Sequence, residues 1–218
     1  MATPWVLLGT ASEELALHLG WDLLGQPAPQ LRVLPVSELA VVLPRSRDPQ
    51  REVYLDRCRA DRVPVLFRPS GGGAVVLAPG MLTVSVWAPW PGAKRVELVF
   101  RHFCGLLASA VTQAGGPPLA LRGVSDLCVG DRKAVGCSLR LGQQNVLFQA
   151  SVLVHPNLEL LHRYLPFPSR APDYRRGRPH REFVTTLRAA GCPLTTQELG
   201  HVLGQAFAQR LACDGRSG

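Results

Sequence analysis

Apolar residues recur along the chain at two spacings, and each spacing predicts one kind of element. Apolar positions three and four residues apart, as in Leu15, Leu19 and Leu23, predict an amphipathic helix. Short apolar runs bounded by Gly, Pro or Asp predict strands. The predicted helices cover residues 12–24, 51–59, 94–113, 158–164, 181–190 and 195–212, and the predicted strands cover residues 31–36, 39–43, 63–67, 74–77, 82–87, 124–129, 132–139 and 146–154. Strands in pairs, with helices between the groups, predict an α+β fold with a mostly antiparallel sheet packed with helices.

Turn residues and a capping motif set several boundaries of these elements. Pro79-Gly80 and Gly130-Asp131 each predict a β-hairpin between the strands that flank them. In Thr195-x-x-Glu198 each side chain can bond the other residue's backbone N–H, which is the capping box that opens a helix. We therefore expect the last helix to begin here.

The second hairpin concentrates reactive groups. With a two-residue turn, Cys128 lies opposite Lys133. Asp126 then lies opposite Val135. Alternation of side chains places four of them on one face, namely Asp126, Cys128, Lys133 and Cys137. Asp126 and Lys133 become diagonal neighbours about 7–8 Å apart at the backbone, which suits either a surface ion pair or a ligand held between the two charges.

A glycine run supplies a second candidate site. Arg68-Pro-Ser-Gly-Gly-Gly73-Ala74 follows a predicted strand, and consecutive glycines let backbone N–H groups approach an anion closely. Taken alone, such a run is more often an ordinary turn. It is not a P-loop, because no Gly-Lys-Ser/Thr follows it.

The charge of the chain is +8 and is unevenly distributed. The basic residues are 22 arginines and two lysines, Lys94 and Lys133. Arg170–Arg181 holds five arginines and one aspartate, which is a local charge of +4. A basic balance of this size favours an acidic partner. We do not expect nucleic acid, because aromatic residues do not alternate with these arginines.

Composition excludes several protein classes. An apolar content of 46% with 18% charged residues is typical of a globular chain. The six cysteines form no C-x-x-C pair and no signal peptide precedes them, so we expect reduced thiols in a cytoplasmic protein. The uncharged stretch 74–93 could span a membrane by length. Prolines and glycines interrupt it, so we predict strands and turns there and no membrane segment.

The order of the glycine run and the lysine hairpin resembles a known family. The pattern R-x-S-G-G-G-A-V begins at Arg68, and S-D-x(6)-K-x-x-G-C begins at Ser125. Together they resemble the lipoate–protein ligase family, within the wider group of biotin and lipoyl protein ligases and octanoyltransferases. Because the resemblance covers nearly the whole chain, we expect residues 1–218 to form one catalytic domain of this type, without a C-terminal accessory domain.

The resemblance implies an activity and its partners. Family members join lipoate or an octanoyl group to a lysine of an acidic lipoyl carrier domain, such as the glycine cleavage H protein or a 2-oxoacid dehydrogenase E2. Ligases of the family use ATP and Mg²⁺ and form an acyl-adenylate. A separate accessory domain protein would be a further partner where the ligase chain lacks that domain.

The resemblance also implies roles for individual residues. Lys133 would be the catalytic group, because its ammonium would reach the carboxylate and the α-phosphate, where negative charge grows. Asp126 would bind the nucleotide or Mg²⁺. Arg68 would support the glycine run or contact phosphate. The implied substrate-binding and adenylate-binding residues are Arg68, Ser70, Gly71, Gly72, Gly73, Ala74, Asp126 and Gly136.

Three segments depart from the family pattern. Leu77 stands where a histidine is common, Phe148-Gln149-Ala150 stands where His-Gly is common, and Arg45-Ser46-Arg47-Asp48 replaces R-x-Q-N. A degenerate member that binds an acyl group or a carrier without turnover is therefore one alternative.

An octanoyltransferase that carries the acyl group as a thioester is the other alternative. Its candidate nucleophiles are Cys137 and Cys128, although neither stands at the family's thiol positions. The missing thiols favour the ATP-dependent interpretation.

Overall fold

The structure, a computed structural model, describes residues 5–214 of the chain. The strands are β1 (Val6–Leu8), β2 (Gln30–Pro35), β3 (Ala40–Pro44), β4 (Val65–Arg68), β5 (Val75–Leu77), β6 (Met81–Pro89), β7 (Ala120–Arg122), β8 (Asp126–Val129), β9 (Arg132–Leu141) and β10 (Asn145–Leu153). The helices are α1 (Glu13–Leu17), α2 (Pro49–Glu52), α3 (Leu55–Ala60), α4 (Val96–Gln113), α5 (Glu159–Tyr164), α6 (His180–Phe183) and α7 (Thr196–Asp214), with a 3₁₀ turn at Asp173–Arg175.

The strands form two sheets. The small sheet has the order β1-β4-β3-β5, and the large sheet has the order β2-β6-β10-β9-β8-β7. Strands β3 and β4 pair in parallel, and the other pairs in the described range are antiparallel. The predicted α+β class with a mostly antiparallel sheet and packed helices is confirmed.

The two faces of the large sheet differ in chemistry because side chains alternate along each strand. On β6, the apolar residues Leu82, Val84 and Val86 belong to the main core cluster together with residues of α4 and α7. The intervening residues Thr83 and Ser85 belong to the opposite face and are buried polar residues. The large sheet therefore has one apolar face under two helices and one face that carries polar groups.

The long helices and the capping box lie where the pattern predicts them. Helix α4 starts two residues after the predicted boundary and ends at the predicted Gln113. The Thr195 backbone N–H donates to Glu198 Oε2 at 2.8 Å, and the Glu198 N–H donates to Thr195 Oγ1 at 3.2 Å. The box satisfies donors that the first turn of α7 leaves without helical partners.

The predicted hairpin at Pro79-Gly80 is wrong. Strand β5 pairs with β3 in the small sheet, whereas β6 pairs with β2 and β10 in the large sheet. Gly80 has a φ of +89° and its carbonyl accepts from the His155 N–H at 2.9 Å, so the turn is packed onto the end of β10. The chain therefore crosses from one sheet to the other here.

Three predicted helices are shorter than expected. Helix α1 ends at Leu17, and Gly20 at a φ of +76° turns the chain away. The helix predicted at 51–59 is divided into α2 and α3 by Val53, which is extended and buried. The helix predicted at 181–190 is replaced by α6, because Val184 forms a β-bridge with Lys133. Among the described residues, no helix combines the length and apolar character needed to cross a bilayer.

We expect Phe148→Ala to lower the free energy of unfolding by about 3–5 kcal/mol, because a large side chain is removed from a close-packed core. Phe148 is 0% exposed and its ring stacks on Phe103 at a centroid distance of 4.9 Å. Urea denaturation followed by circular dichroism measures the change. Val124→Ala is the control, because Val124 is 52% exposed and should cost less than about 1 kcal/mol. Equal losses in the two variants would contradict this account of the core.

Candidate functional site

A β-bulge changes the predicted register of the lysine hairpin. Cys128 pairs with Lys133, as the turn predicts, but Asp126 pairs with Gly136 and not with Val135. The register shift lies between Leu127 and Cys128, so β9 carries one extra residue there. An extra residue reverses which side chains face which side beyond it.

The bulge separates the four side chains that were predicted to share a face. Asp126, Cys128 and Lys133 stay together on the polar side. Cys137 lies on the opposite side, inside the main core cluster, where the Cys104 thiol approaches its Sγ at 3.6 Å. The expectation that Cys137 faces Lys133 is therefore wrong.

Asp126 and Lys133 form an ion pair in the centre of the candidate site. The Lys133 Nζ lies 2.6 Å from Asp126 Oδ1, with the side chains 28% and 12% exposed. The Tyr174 hydroxyl donates to Asp126 Oδ2 at 2.7 Å. Burial and the neighbouring Asp126 charge raise the pKa of Tyr174 well above its usual value, so this phenol stays a donor at neutral pH.

Gly136 leaves room for the lysine side chain. A Cβ atom at Gly136 would lie 2.9 Å from Lys133 Cε and 3.0 Å from Lys133 Nζ. The ammonium therefore passes directly over the backbone of Gly136. A side chain larger than hydrogen at this position would push the lysine away.

The glycine loop, residues Ser70–Gly73, connects β4 and β5 of the small sheet and is held by Arg68. The Arg68 Nη2 donates to the carbonyls of Gly71 and Gly73 at 2.7 and 2.8 Å, and its Nε donates to Ser70 Oγ at 3.1 Å. Arg68 is 7% exposed, and burial lowers its pKa to about 10. Its guanidinium thus supports the loop from within, which is the first of the two roles the resemblance implied.

The glycine loop rests on the large sheet beside the lysine. The Gly71 N–H donates to the Leu139 carbonyl at 3.1 Å, and Ser70 Oγ lies 2.9 Å from Ser138 Oγ. Ser138 and Gly136 are two residues apart on β9, which is about 7 Å along a strand. The glycine loop and the Lys133 ammonium therefore flank one short stretch of β9, at the interface of the two sheets.

The second half of the loop faces outward. Within residues 5–214, the N–H groups of Gly72 and Gly73 donate no hydrogen bond, and a Cβ at Gly73 would meet nothing within 4 Å. Gly72 has a φ of +100°, which favours glycine. Ala74, which follows, is half-buried against a core cluster of the small sheet. The loop thus offers two backbone donors at exposed residues, with open space beside Gly73.

The cysteines near the site are poor nucleophiles. The neighbouring Cys104 thiol and burial raise the pKa of Cys137 well above its usual value. Burial raises the pKa of Cys128, whose thiol donates to the Tyr174 hydroxyl at 3.5 Å. A thiol with a raised pKa holds little thiolate at neutral pH, and thiolate is the reactive form.

The arginine-rich segment packs onto the hairpin. Arg175 is 3% exposed and lies between the rings of Phe167 and Phe183, at 4.5 and 4.7 Å from their centroids. Arg178 pairs with Asp131 at 2.7 Å. Two of the five arginines are therefore structural, while Arg170 and Arg176 are exposed.

Sequence reasoning missed three residues of the site. Tyr174 lies in a loop without periodicity, and only the fold brings it to Asp126. The Arg47 Nε donates to the Gly72 carbonyl at 3.2 Å, at a position that the sequence marked only as a departure from the family. Gln149 accepts a hydrogen bond from Ser70 at 2.5 Å. The sequence marked Gln149, too, only as part of a departure from the family pattern.

The described part of the chain contains no cluster of three or more His, Cys, Asp or Glu side chains that could hold a metal ion. Asp126 is the carboxylate of the site. Since Mg²⁺ in nucleotide sites is commonly held by one or two carboxylates together with phosphate oxygens, a single carboxylate is compatible with a metal that arrives with a nucleotide.

Similar folds occur among solved structures. An archaeal bipartite lipoate protein ligase studied with its E2 lipoyl domain, from Thermoplasma acidophilum, is 22% identical with a TM-score of 0.76, over 94% of this chain and 82% of that one. A T. acidophilum lipoate protein ligase with bound lipoic acid is 21% identical with a TM-score of 0.75, over 94% and 84%. Lipoate-protein ligase A bound with ATP is 22% identical with a TM-score of 0.74, over 97% and 86%. At these identities the likeness shows the fold.

Family assignment comes from the sequence itself. Comparison with curated proteins gave no match. The family model of the lipoyl protein ligase A/B catalytic domain matches residues 18–208, which include the glycine loop, the lysine hairpin and most of α7. The chain belongs to the lipoyl protein ligase A/B catalytic domain family.

Proposed function

We propose that the protein is a lipoate–protein ligase that attaches a lipoyl or octanoyl group to a lysine of a carrier domain through an acyl-adenylate. The observation that carries the proposal is the position of the Lys133 ammonium over Gly136, beside the glycine loop. Family membership supplies the reaction class, and this geometry supplies a cation and backbone donors at one place.

Lys133 would act where negative charge develops. In adenylation, a carboxylate oxygen attacks the α-phosphorus of ATP and pyrophosphate leaves. In transfer, the carrier lysine amine attacks the acyl carbon and AMP leaves. Both steps build negative charge on oxygen, which a fixed ammonium in a partly buried site stabilises. Asp126 keeps that ammonium in place through the 2.6 Å ion pair.

The glycine loop would bind the acyl-adenylate from the other side. The N–H groups of Gly72 and Gly73 are donors suited to phosphate or carbonyl oxygen. Arg68, Ser70 and Ala74 would keep the loop in shape. Mg²⁺, when bound with ATP, neutralises phosphate charge, and Asp126 is the carboxylate that would contact it.

An acidic lipoyl carrier domain would be the macromolecular partner. The chain has a charge of +8, and Arg170 and Arg176 are exposed on the segment that packs against the hairpin. A similar T. acidophilum ligase is described as bipartite and with an E2 lipoyl domain, which supports testing a carrier of that kind and an accessory chain.

The thiol route has less support. Cys137 lies in the core on the far face of β9, and burial raises the pKa of Cys128. Acyl transfer through either cysteine would require a thiolate that its surroundings disfavour.

We expect Lys133→Arg to lower carrier acylation by at least about 100-fold, because a planar guanidinium does not reproduce the compact charge that the ammonium places over Gly136. The assay mixes protein, ATP, Mg²⁺, apo carrier domain and either lipoate or octanoate, and measures the mass gain of the carrier. Lys94→Arg is the matched control, because Lys94 is exposed and bonds the Gln143 carbonyl away from the hairpin.

The role of Lys133 and the ligase function can each be contradicted by a different result. Near-normal transfer by Lys133→Arg would contradict the role of the lysine. Absence of transfer by the unaltered protein, with both acids and with a candidate accessory chain added, would contradict the function.

We expect the variant with both Cys128→Ala and Cys137→Ala to keep ATP-dependent transfer within about threefold, since no covalent enzyme intermediate is needed. Octanoyl-carrier protein without ATP should leave no thioester on the unaltered enzyme, as intact-mass spectrometry would show. A trapped thioester that disappears when Cys128→Ala or Cys137→Ala is made alone would instead support the octanoyltransferase alternative.

A further inference from the structure

Gln149 connects three separate segments below the glycine loop. It lies on β10 directly between Ser85 of β6 and Ser138 of β9, and it is 6% exposed. Its Oε1 accepts from the Ser70 hydroxyl at 2.5 Å. Its Nε2 donates to the Leu19 carbonyl at 2.9 Å and to Ser85 Oγ at 3.2 Å.

The directions of these hydrogen bonds are fixed by donor counting. The Ser70 hydroxyl has one hydrogen, and it goes to Gln149 Oε1. Ser138 must then donate to Ser70 Oγ, while Arg68 Nε is the second donor to that oxygen. Ser70 is thus saturated, and Gln149 is the acceptor that orients its hydroxyl.

The segment after α1 is shaped around the same amide. A Cβ at Gly20 would lie 2.9 Å from Gln149 Nε2, so the chain passes the amide at a distance that only glycine allows without displacement. The amide group therefore connects the Leu19 carbonyl to the hydroxyl of Ser70. This connection needs an acceptor and a donor on one short side chain.

We propose that Gln149 is a positioning residue of the acylation site, which sets the height of the glycine loop above β9 relative to Lys133. The proposal rests on the proposed function for its effect on catalysis. Arg68 and Ser138 still hold Ser70 when Gln149 is changed, so the loop stays attached but shifts. The change therefore affects catalysis more than folding.

Chemistry distinguishes the substitutions that test this role. Gln149→Met keeps a similar length and removes both the acceptor and the donors. Gln149→Glu keeps the acceptor but places a carboxylate against the Leu19 carbonyl. Gln149→His keeps one acceptor nitrogen and one donor nitrogen. Gln205→Met on the exposed side of α7 is the matched control.

The first measurement needs no substrate. Hydrogen exchange of the Gly71 amide, which donates to the Leu139 carbonyl, should be about tenfold faster in Gln149→Met and unchanged in Gln205→Met. Ser85→Ala removes a bond of Gln149 that does not reach the loop, and it should leave loop exchange within about twofold. Unchanged loop exchange in Gln149→Met would overturn the positioning role whether or not the protein is a ligase.

The second measurement separates positioning from general stability. In carrier acylation by Gln149→Met, kcat should fall about 10- to 100-fold while KM for the carrier stays within about threefold. Gln149→His should recover at least half of the loss in kcat, measured on a logarithmic scale. The loss in the double variant of Ser70→Ala and Gln149→Met should be smaller than the product of the two single losses, because the two changes share the Ser70–Gln149 bond, while Ser70→Ala alone also removes the bonds to Arg68 and Ser138. Full additivity, or no recovery by His, would overturn the proposal. Absence of activity in the unaltered protein would instead overturn the proposed function. The hydrogen-exchange measurement would then still test whether Gln149 positions the glycine loop.

Discussion

The large sheet must bury both of its faces, and the rest of the molecule follows from how the chain does this. On one face, alternate residues such as Val84 and Phe148 pack under α4 and α7. On the other face, the intervening residues Ser85 and Gln149 are polar and yet buried. Buried polar groups need hydrogen-bond partners, and Ser70 of the glycine loop is one partner of Gln149, beside the Leu19 carbonyl. The hydrogen bonds that these buried polar residues require therefore also place the glycine loop next to Lys133.

Sequence reasoning located the chemistry better than it located the connections. Helices α4, α5 and α7, the capping box, the turn at Gly130-Asp131 and the proximity of Asp126 to Lys133 are local consequences of spacing, and the structure has them. The bulge in β9 was not predicted, because no residue of Arg132-Lys-Ala-Val135 indicates that the strand carries one extra residue. The crossing at Pro79-Gly80 was missed because a turn motif predicts a reversal and not the partner of each strand.

Two arginines, Arg68 and Arg175, are buried and support the fold from within. Arg68 donates hydrogen bonds to carbonyls of the glycine loop, and Arg175 lies between two phenylalanine rings. Composition cannot distinguish such residues from solvated ones, since both contribute equally to a charge of +8. The planar guanidinium suits these tasks because it binds several carbonyls at once and packs flat against rings. The compact ammonium of Lys133 lies over Gly136, where the absence of a Cβ atom leaves room for it.

Because the site lies between two sheets, ligand binding there affects the stability of their association. The glycine loop belongs to the small sheet and Lys133 to the large one, so a molecule that contacts both touches two layers that the chain joins through short crossings such as Pro79-Gly80. Such a molecule binds the assembled layers and not the separated ones. By linkage, its binding energy adds to the energy that keeps the layers together, about 2.7 kcal/mol at a hundredfold excess over its dissociation constant. Ligand binding at the site and association of the two layers are therefore thermodynamically linked.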